Sequence, residues 1–378
     1  MRIVRITATE VAVPARPGAV ESESFHRPLH SRPWRGQPAW TVQFDEMPKV
    51  VLRLELDGGP VGLGELYRGH DWANVDALAD ALIGRDIETL SPQALPLARV
   101  LEHDGFEMAV WDAYARSLGV RVADLLGGPV RDRVLVNAWS GPRTAEEIGD
   151  LARTFRDEGF TTVKLKGSLE DDVVAWCAAI AERAAGLRVV LDPNGRFERF
   201  AEARRIGAAL ADVGNVDFLE DPIPHAMVPD WQLLRGTIAV PLARHVSLAG
   251  GQLGDRSMEV VTAIRAGTAD AFNFTAGLAD FQRLDHAAGI AGIQCWHGSQ
   301  VDLGIAEAAY VHSCAAAQSC ALASDIFGRR IRSHDLLREP LAITPPYAAL
   351  PAGPGLGVEI DEAALEEHRV SEREYSHR

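Results

Sequence analysis

The most constraining feature of this sequence is a repeat of pattern that runs from Val134 to Asp325. Short apolar or β-branched runs recur about every 25–28 residues, as VLVNAW, TTVKLK, LRVVLD, VDFLED, IAVPLA, ADAFNF, AGIQCW and CALASD. Ala-rich amphipathic stretches such as DDVVAWCAAIAERAAG separate them. Strands covered on both faces read as continuous apolar runs, so eight strand and helix units predict a closed parallel barrel, with an open doubly wound sheet as the alternative.

The segments that flank the repeat predict two further parts of an α/β chain. Strand-like runs with a turn at Asp57-Gly58-Gly59 begin the sequence, and helical patterns follow as far as the stop signal LLGGPVRDR. We expect an N-terminal α+β capping domain over residues 1–128 and a modified (β/α)8-type, TIM-like barrel over 129–330. The repeat of 25–28 residues does not continue through residues 331–378, and we expect this C-terminal segment to pack back on the capping domain.

Composition narrows the class of partner. The net charge of −15 argues against nucleic acid, and no apolar run reaches the roughly 18–20 residues of a membrane span. The N-terminus alternates like a strand and lacks the regions of a signal peptide, which predicts a cytoplasmic protein. Four cysteines without CxxC spacing are expected to be buried thiols. The expected partner is a small molecule.

Titratable residues gather at the ends of successive predicted strands, where barrel enzymes carry their chemistry. In chain order they are Lys164, Lys166, Asp192, Glu220, His245, Asp270 and His297, of which Asp270 begins its predicted strand and the others end theirs. Single members have ordinary structural explanations: Asp192 as a helix cap, Glu220 or Asp221 as a surface turn, His297 as a core histidine. Six consecutive strands with such a residue instead predict an active site.

The motifs that carry these residues resemble a known family. VKLKG, LDPNG, EDP and a seventh-strand His with a sixth-strand Asp are similar to the mandelate racemase-like branch of the enolase superfamily. Within that branch, the glucarate dehydratase group shares the Lys-x-Lys pair, the Asp-Pro-Asn-Gly turn and a tail like PGLGVEID. The resemblance implies a divalent cation, a small carboxylate substrate and a homo-oligomer.

The Lys-x-Lys pair lies on one face of its strand, because side chains two apart in a strand point the same way. Sites of the family it resembles remove a proton beside a carboxylate, with a metal ion that absorbs the charge of the enediolate. We predict that Lys166 is the base, since a like-charged neighbour and a metal favour its neutral form. Lys164 is predicted to contact the substrate carboxylate. The structural alternative is two lysines that extend from an exposed strand end.

Asp270 and His297 are predicted to form a second acid/base arm. A carboxylate bonded to one ring nitrogen would orient the imidazole and leave the other nitrogen free for proton transfer. Two arms on opposite faces of a substrate suit either 1,1-proton transfer or β-elimination of water. The sequence alone does not separate these reactions.

Asp192, Glu220 and His245 are the predicted metal ligands. Relatives supply a Glu on the fifth strand, whereas PLARH offers His245 at the offset where glucarate dehydratases have an Asn. Mg²⁺ is the expected ion, and an imidazole donor shifts preference towards Mn²⁺. The alternative is that His245 lies outside the ligand set. Asn194, in the DPNG turn, is predicted to bind substrate or a metal-bound water.

Weaker candidates lie outside this set. Arg27, Arg32 and Arg35 fall in a Pro- and Arg-rich segment that predicts either a cationic lid for a distal carboxylate or a solvated loop. Asp325, after the eighth run, either faces the ligand or caps a helix. Together the residues predict a metal-dependent acid-sugar dehydratase, a hydro-lyase. The alternatives are a racemase, epimerase or cycloisomerase on the same scaffold, and a barrel that binds an acid without turning it over.

Overall fold

The computed structural model describes residues 1–20, 22, 48–92, 94–247 and 256–376. Its first layer is an antiparallel sheet in the order β14-β1-β2-β3. These strands are β1 (Ile3–Val11), β2 (Lys49–Leu56), β3 (Val61–Leu66) and β14 (Arg369–Ser376). The helices of this part are α1 (Trp72–Leu82), α2 (His103–Leu118) and α3 (Val122–Leu125).

Helix α2 lies unusually close to β3 because two strand residues have no side chain. A Cβ at Gly62 would lie 2.2 Å from the Ala109 carbonyl oxygen, and one at Gly64 would lie 2.3 Å from that of Gly105. Any larger residue at either position would force the helix away from the sheet. The two glycines therefore set the distance between helix and sheet.

The second part is a curled parallel sheet with strands in the order β11-β10-β9-β8-β7-β6-β5. The strands are β5 (Ala138–Ser140), β6 (Thr162–Lys166), β7 (Arg188–Asp192), β8 (Val216–Glu220), β9 (Leu242–Val246), β10 (Ala271–Phe274) and β11 (Gln294–His297). The helices are α4 (Ala145–Glu158), α5 (Val173–Arg183), α6 (Phe200–Val213), α7 (Val228–Thr237), α8 (Arg256–Ala266), α9 (Leu278–Ile290) and α10 (Gly304–Ala316). This architecture confirms the predicted modified (β/α)8 barrel with a capping domain.

The eighth predicted run, CALASD, does not form a continuous strand. Single parallel bridges join Cys320 to Cys295 and Ser324 to Val136. The segment thus spans the gap between β11 and the start of β5. Barrel closure depends on these two bridges rather than on a full ladder.

The first predicted run, VLVNAW, is split between two sheets. Its beginning is β4 (Arg133–Leu135), which pairs with β13 (Tyr347–Ala349), and β13 pairs in turn with β12 (Ile343–Thr344). Two short helices, α11 (Gly328–Ile331) and α12 (Glu362–Glu367), complete the C-terminal part before β14 joins β1.

The inside of the barrel has an apolar floor. Val190, Ala243, Ala271 and Trp296 form one buried cluster there. Two residues further along β7, β9 and β10 stand Asp192, His245 and Asn273. Because alternate residues of a strand share a face, the next layer towards the carboxyl ends of the strands is polar.

Two further observations concern the described residues. All four cysteines are buried and free, as predicted. None of the described helices combines the length and apolarity needed to cross a membrane.

Candidate active site

Lys164 lies deepest in the polar layer. Its Nζ is 2.8 Å from Glu220 Oε2, 2.8 Å from Asp325 Oδ2 and 3.5 Å from Asp192 Oδ2. Burial alone would lower the pKa of this amine, but the surrounding carboxylates outweigh burial and raise the pKa above its ordinary value. Lys164 is therefore a fixed ammonium, and its contacts are with the protein's own carboxylates.

Lys166 lies one step nearer the rim and is the more accessible of the two amines. Its side chain is 12% exposed, against 3% for that of Lys164. Its Nζ pairs with Asp192 Oδ2 and donates to Asn194 Oδ1 at 3.1 Å. Asn194 has a left-handed backbone with φ of 51°, and its N–H donates to Asp192 Oδ1 at 2.9 Å. The DPNG turn thus places Asp192 and Asn194 on either side of the predicted base.

Asp192 and Glu220 are adjacent, fully buried carboxylates at the ends of β7 and β8. Burial, and then the charge of Asp192, raises the pKa of Glu220 well above its ordinary value. Burial acts to raise the pKa of Asp192 as well, but the charges of Lys166 and Lys164 outweigh it and lower that pKa. Glu220 Oε2 is buried without a hydrogen bond of good geometry. A divalent cation suits this pair, because it would take the place of a proton between two oxygen donors.

His245 lies beside Asp192 and Glu220, but its ring faces Thr275. Its Nε2 lies 2.8 Å from Thr275 Oγ1, and its Nδ1 lies 3.7 Å from Glu220 Oε1. Burial, and then the charge of Lys164, lowers its pKa to about 4, so the imidazole is neutral. The one described group of three His, Cys, Asp or Glu whose ligand atoms all lie within 4.8 Å is elsewhere, at His103, Asp104 and Glu107. In this conformation His245 does not complete a three-donor set, and its role as a ligand stays a prediction.

The predicted pair of Asp270 and His297 is not formed. Asp270 precedes β10 and therefore lies at the opposite end of the barrel, where it accepts from Leu242 N at 2.9 Å and Arg235 Nε at 2.8 Å. His297 ends β11, but Trp296 takes the interior-facing position, so the His297 ring faces the helix layer. The prediction was wrong because Asp270 begins its strand whereas His297 ends another, and because a run that is apolar on both faces does not indicate which face is interior.

His297 is enclosed by aromatic rings. Its ring centroid lies 4.7 Å from that of Phe281 and 3.8 Å from that of Tyr310. Both ring nitrogens face backbone carbonyl oxygens, at 2.7 Å from Gly298 and 3.2 Å from Ala276. Burial lowers the pKa of His297. These contacts make it a core histidine, the alternative considered for this residue.

Several residues of the site carry no motif in the sequence. Asn273 and Thr275 on the β10 side face the interior, and Asn273 Nδ2 donates to Glu220 Oε1 at 2.9 Å. Asn137 Nδ2 donates to Asp325 Oδ1 at 2.7 Å, so Asp325 belongs to the buried cluster and is not a helix cap. Counting every second residue along DAFNFTAG from Ala271 would have found Asn273 and Thr275.

A cavity of about 210 Å³ lies beside Thr275. Its described lining residues come from the capping domain and from the barrel rim; they are Tyr67, Arg68, Gly69, Leu101, Ser247, Thr275 and Gln300. Thr275 is shared by this cavity and the contact with His245, so the cavity adjoins the polar layer. The arginines predicted for a cationic lid, Arg27, Arg32 and Arg35, lie outside the described residues.

Comparison with known families agrees with this geometry. Residues 147–364 match the family model described as enolase C-terminal domain-like, and residues 30–127 match the mandelate racemase / muconate lactonizing enzyme N-terminal domain. The chain belongs to the enolase superfamily, in its mandelate racemase and muconate lactonizing enzyme branch. Enzymes of this superfamily bind a divalent metal, generally Mg²⁺.

Curated relatives in this branch differ in reaction. Muconate cycloisomerase 1 of Rhodococcus opacus is 28% identical over 355 residues, which cover 86% of this chain and 92% of that protein. A probable glucarate dehydratase of Streptomyces coelicolor is 26% identical over 84% of each chain.

Among solved structures, the N-succinyl Arg/Lys racemase of Bacillus cereus superposes with a TM-score of 0.82 at 22% identity. The match covers 99% of this chain and 100% of that chain. At this identity the superposition establishes the fold, and the reaction has to be argued from the site.

Proposed function

We propose that this protein is an acid-sugar dehydratase that removes the proton α to a carboxylate and eliminates a β-hydroxyl as water. The observation that carries this proposal is the position of Lys166. It is the amine nearest the rim, between Asp192 and Asn194, whereas Lys164 below it is committed to buried carboxylates. The glucarate dehydratase relative supports an acid sugar as the substrate class.

The chain's own groups account for the proton transfers. Asp192 and Glu220 are the residues that would hold the divalent cation, and a cation there supplies positive charge that stabilises an enediolate. The Lys166 amine takes the α-proton, and the resulting ammonium returns that proton to the hydroxyl on the neighbouring carbon as its C–O bond breaks. Water leaves, and the enol product tautomerises to a 2-keto-3-deoxy acid. A single amine on one face is sufficient for this sequence.

The opposite side of the barrel favours elimination over racemisation. Interconversion of two stereoisomers needs a proton-transfer group on each face of the α-carbon. Among the described residues, Asn273, Thr275 and Gly298 occupy that side, and His297 faces away. The imidazole nearest to them is that of His245, which lies against Thr275 Oγ1 rather than directly across from Lys166. Gly298 faces the interior, since a Cβ there would meet Thr275 Oγ1 at 2.4 Å.

Epimerisation is the second candidate, and His245 is the observation that favours it. Its imidazole is neutral and lies beside Thr275 Oγ1 on the side away from β6. A neutral imidazole there would serve as a second base if a substrate lay between it and Lys166. The cytoplasmic location and the homo-oligomer expected from the sequence stay predictions.

The experiment is a screen of aldonic and aldaric acids with Mg²⁺ in deuterated water. We expect the wild type to form a 2-keto acid from at least one acid, with deuterium entering its product. The Lys166→Met variant should form none and should exchange no α-proton. Paired epimers without keto acid would identify an epimerase instead, and an undiminished rate in Lys166→Met would remove Lys166 from the mechanism.

A further inference from the structure

Three charged residues, Asp221, His225 and Glu259, form a hydrogen-bonded cluster at the barrel rim. His225 Nε2 lies 2.7 Å from Asp221 Oδ1, and its Nδ1 lies 2.6 Å from Glu259 Oε1. Asp221 directly follows β8, His225 lies in the segment that leads to α7, and Glu259 lies in the first turn of α8. This rim cluster therefore stands at the end of the barrel where β8 carries Glu220.

Asp221 is the member of the rim cluster that contacts the segments of the predicted metal site. Its Oδ1 also accepts from His245 N on β9 at 3.0 Å. Its backbone oxygen accepts from Gly195 N, in the DPNG turn after β7, at 2.6 Å. Glu220 is its neighbour in the sequence. One residue thus connects the three segments that carry the predicted metal ligands Asp192, Glu220 and His245.

The backbone of Asp221 shows that these contacts hold it in an uncommon conformation. Its φ of 42° lies in the left-handed region, which residues other than glycine adopt rarely, although Asp does so more often than most. Such a conformation persists where the surrounding structure fixes it, and here contacts at the side chain and at the backbone do so. Loss of the side-chain contacts would let the turn after Glu220 relax.

His225 is held by acceptors on both ring nitrogens. Carboxylates accept hydrogen bonds, so the contacts with Asp221 and Glu259 fit an imidazolium that donates from both nitrogens. Burial alone would lower the pKa of His225, but the charge of Asp221 and the hydrogen bonds to both carboxylates outweigh burial and raise that pKa to about 9. Glu259 is held in turn by Arg244 of β9, whose Nη2 lies 3.5 Å away. The ring is therefore fixed in one orientation towards Asp221.

We propose that His225 is a positioning residue for the metal site. It orients the Asp221 carboxylate, and Asp221 in turn fixes the ends of β8 and β9 and the turn after β7, where the divalent cation would bind. His225 acts through Asp221 and is not itself a ligand. The inference rests on the assignment of Asp192 and Glu220 as metal ligands, and it holds whether the acid is dehydrated or epimerised.

Binding of Mn²⁺, measured by titration calorimetry, tests the proposal without turnover. His225→Phe keeps a ring but has no hydrogen-bond donor, and we expect it to raise the Kd for Mn²⁺ by about 10-fold, as for loss of a group that orients metal ligands. His225→Gln should fall between this variant and the wild type, because its amide can still donate to Asp221. His286→Phe, at an exposed position on α9, is the matched control and should bind Mn²⁺ as the wild type does.

A double variant separates an effect through Asp221 from general damage. Asp221→Asn tolerates the left-handed backbone but removes the charge that holds the imidazolium, and it should also raise the Kd for Mn²⁺. Adding His225→Phe to it should change the Kd by less than about threefold, because both substitutions break the same contact. Losses that multiply in the double variant would overturn the proposal. Denaturant unfolding of the metal-free variants measures their stability separately.

The remaining outcomes are also decisive. Lower stability of His225→Phe with an unchanged affinity for Mn²⁺, while Asp192→Asn binds the ion more weakly, would overturn the positioning role and keep the metal ligands. A wild type that binds no Mn²⁺ would overturn both assignments. Weaker binding in His225→Phe, partly restored in His225→Gln, by an enzyme that forms no keto acid would keep the positioning role and reject dehydration.

Discussion

At the scale of single residues, the site separates two lysines that the sequence presents as a pair. Lys164 and Lys166 share a face of β6, yet one Nζ is enclosed by Glu220 and Asp325 while the other reaches Asn194 at the rim. The depth of each amine in the barrel decides this, because the floor excludes water and only the rim admits a substrate. The position of each lysine along β6 thus makes Lys164 a buried charge that pairs with carboxylates and makes Lys166 the candidate base.

Replacing one carboxylate tests the predicted metal pair. Asp192→Asn keeps the shape of the side chain but removes one of two adjacent anionic donors. We expect the affinity for Mn²⁺, measured by titration calorimetry, to fall by about 100-fold or more, since the ion loses a charged oxygen ligand. Asp270→Asn, at the other end of the barrel, is the matched control and should bind Mn²⁺ as the wild type does. Equal affinities in both variants would contradict the ligand assignment.

For His297 we predict that substitution affects the stability of the protein rather than its activity. Because its ring is packed between Phe281 and Tyr310, His297→Asn should lower the free energy of unfolding by about 2 kcal/mol, as expected for loss of a buried ring. Denaturant unfolding checks the stability, and kcat per folded molecule should stay within about threefold of the wild type. A stable variant with kcat lowered by more than about a hundredfold would restore the acid role first predicted for this histidine.

At the scale of elements, α2 links the capping sheet to the barrel. Its Asp104 is paired with Arg256 of α8 at 2.6 Å, and its Glu107 Oε1 accepts from Ala279 N at the start of α9 at 2.8 Å. An acid at a helix N-terminus satisfies a free backbone N–H. Helix α2 thereby fixes the capping domain against two barrel helices.

Glu107 makes this link sensitive to pH. Burial, and then the charge of Asp104, raises its pKa to about 7. The group's contribution to stability is therefore fully present below about pH 4.5 and is lost as the pH rises through about 7. Glu107→Gln should remove this slope and be the more stable protein at pH 8 by about 2 kcal/mol, with little difference at pH 5.

Chemical denaturation at pH 5, 6.5 and 8 measures the effect. Glu182→Gln, at an exposed position, is the control and should run parallel to the wild type. If the free energy of unfolding of Glu107→Gln changed with pH in parallel with that of the wild type, the Glu107 carboxyl group would titrate in the same way in the folded and the unfolded chain.

At the scale of the whole molecule, buried charges join the two parts of the chain. Lys49 Nζ on β2 lies 2.6 Å from Asp302 and 3.0 Å from Glu65, with all three side chains almost fully buried. Glu65 also accepts from Leu303 N and Ala306 N at the start of α10. The capping sheet is thus held on the barrel by an ion cluster rather than by apolar contact alone.

Removal of the one amine should be costly. Lys49→Met leaves two buried carboxylates without their cation, and we expect it to lower the free energy of unfolding by about 3–5 kcal/mol. The double variant Lys49→Met/Asp302→Asn should recover part of this loss, because it removes one of the stranded charges. Thermal unfolding of both variants shows which is the more stable. A double variant less stable than Lys49→Met would contradict the prediction.

The sequence by itself determined the architecture and most of the polar layer. The spacing of apolar runs depends only on which residues avoid water, and this spacing is enough to specify a barrel. Lys166, Asp192, Asn194 and Glu220 were found because each lies in a motif at the carboxyl end of a strand whose position is clear.

Only the tertiary structure decided which side chains face the barrel interior and which segments, remote in sequence, lie together. Neighbouring residues of a strand face opposite sides, and a strand covered on both sides has no polar alternation, so the sequence did not show that Trp296 rather than His297 faces the interior. Asp270 stands before the start of β10, as the sequence indicates, and therefore lies at the opposite end of the barrel from the residues that end the strands. Arg68 and Tyr67 join Thr275 across more than 200 residues of sequence. Contact at that separation follows from the packing of one domain on another, which no local pattern of residues records.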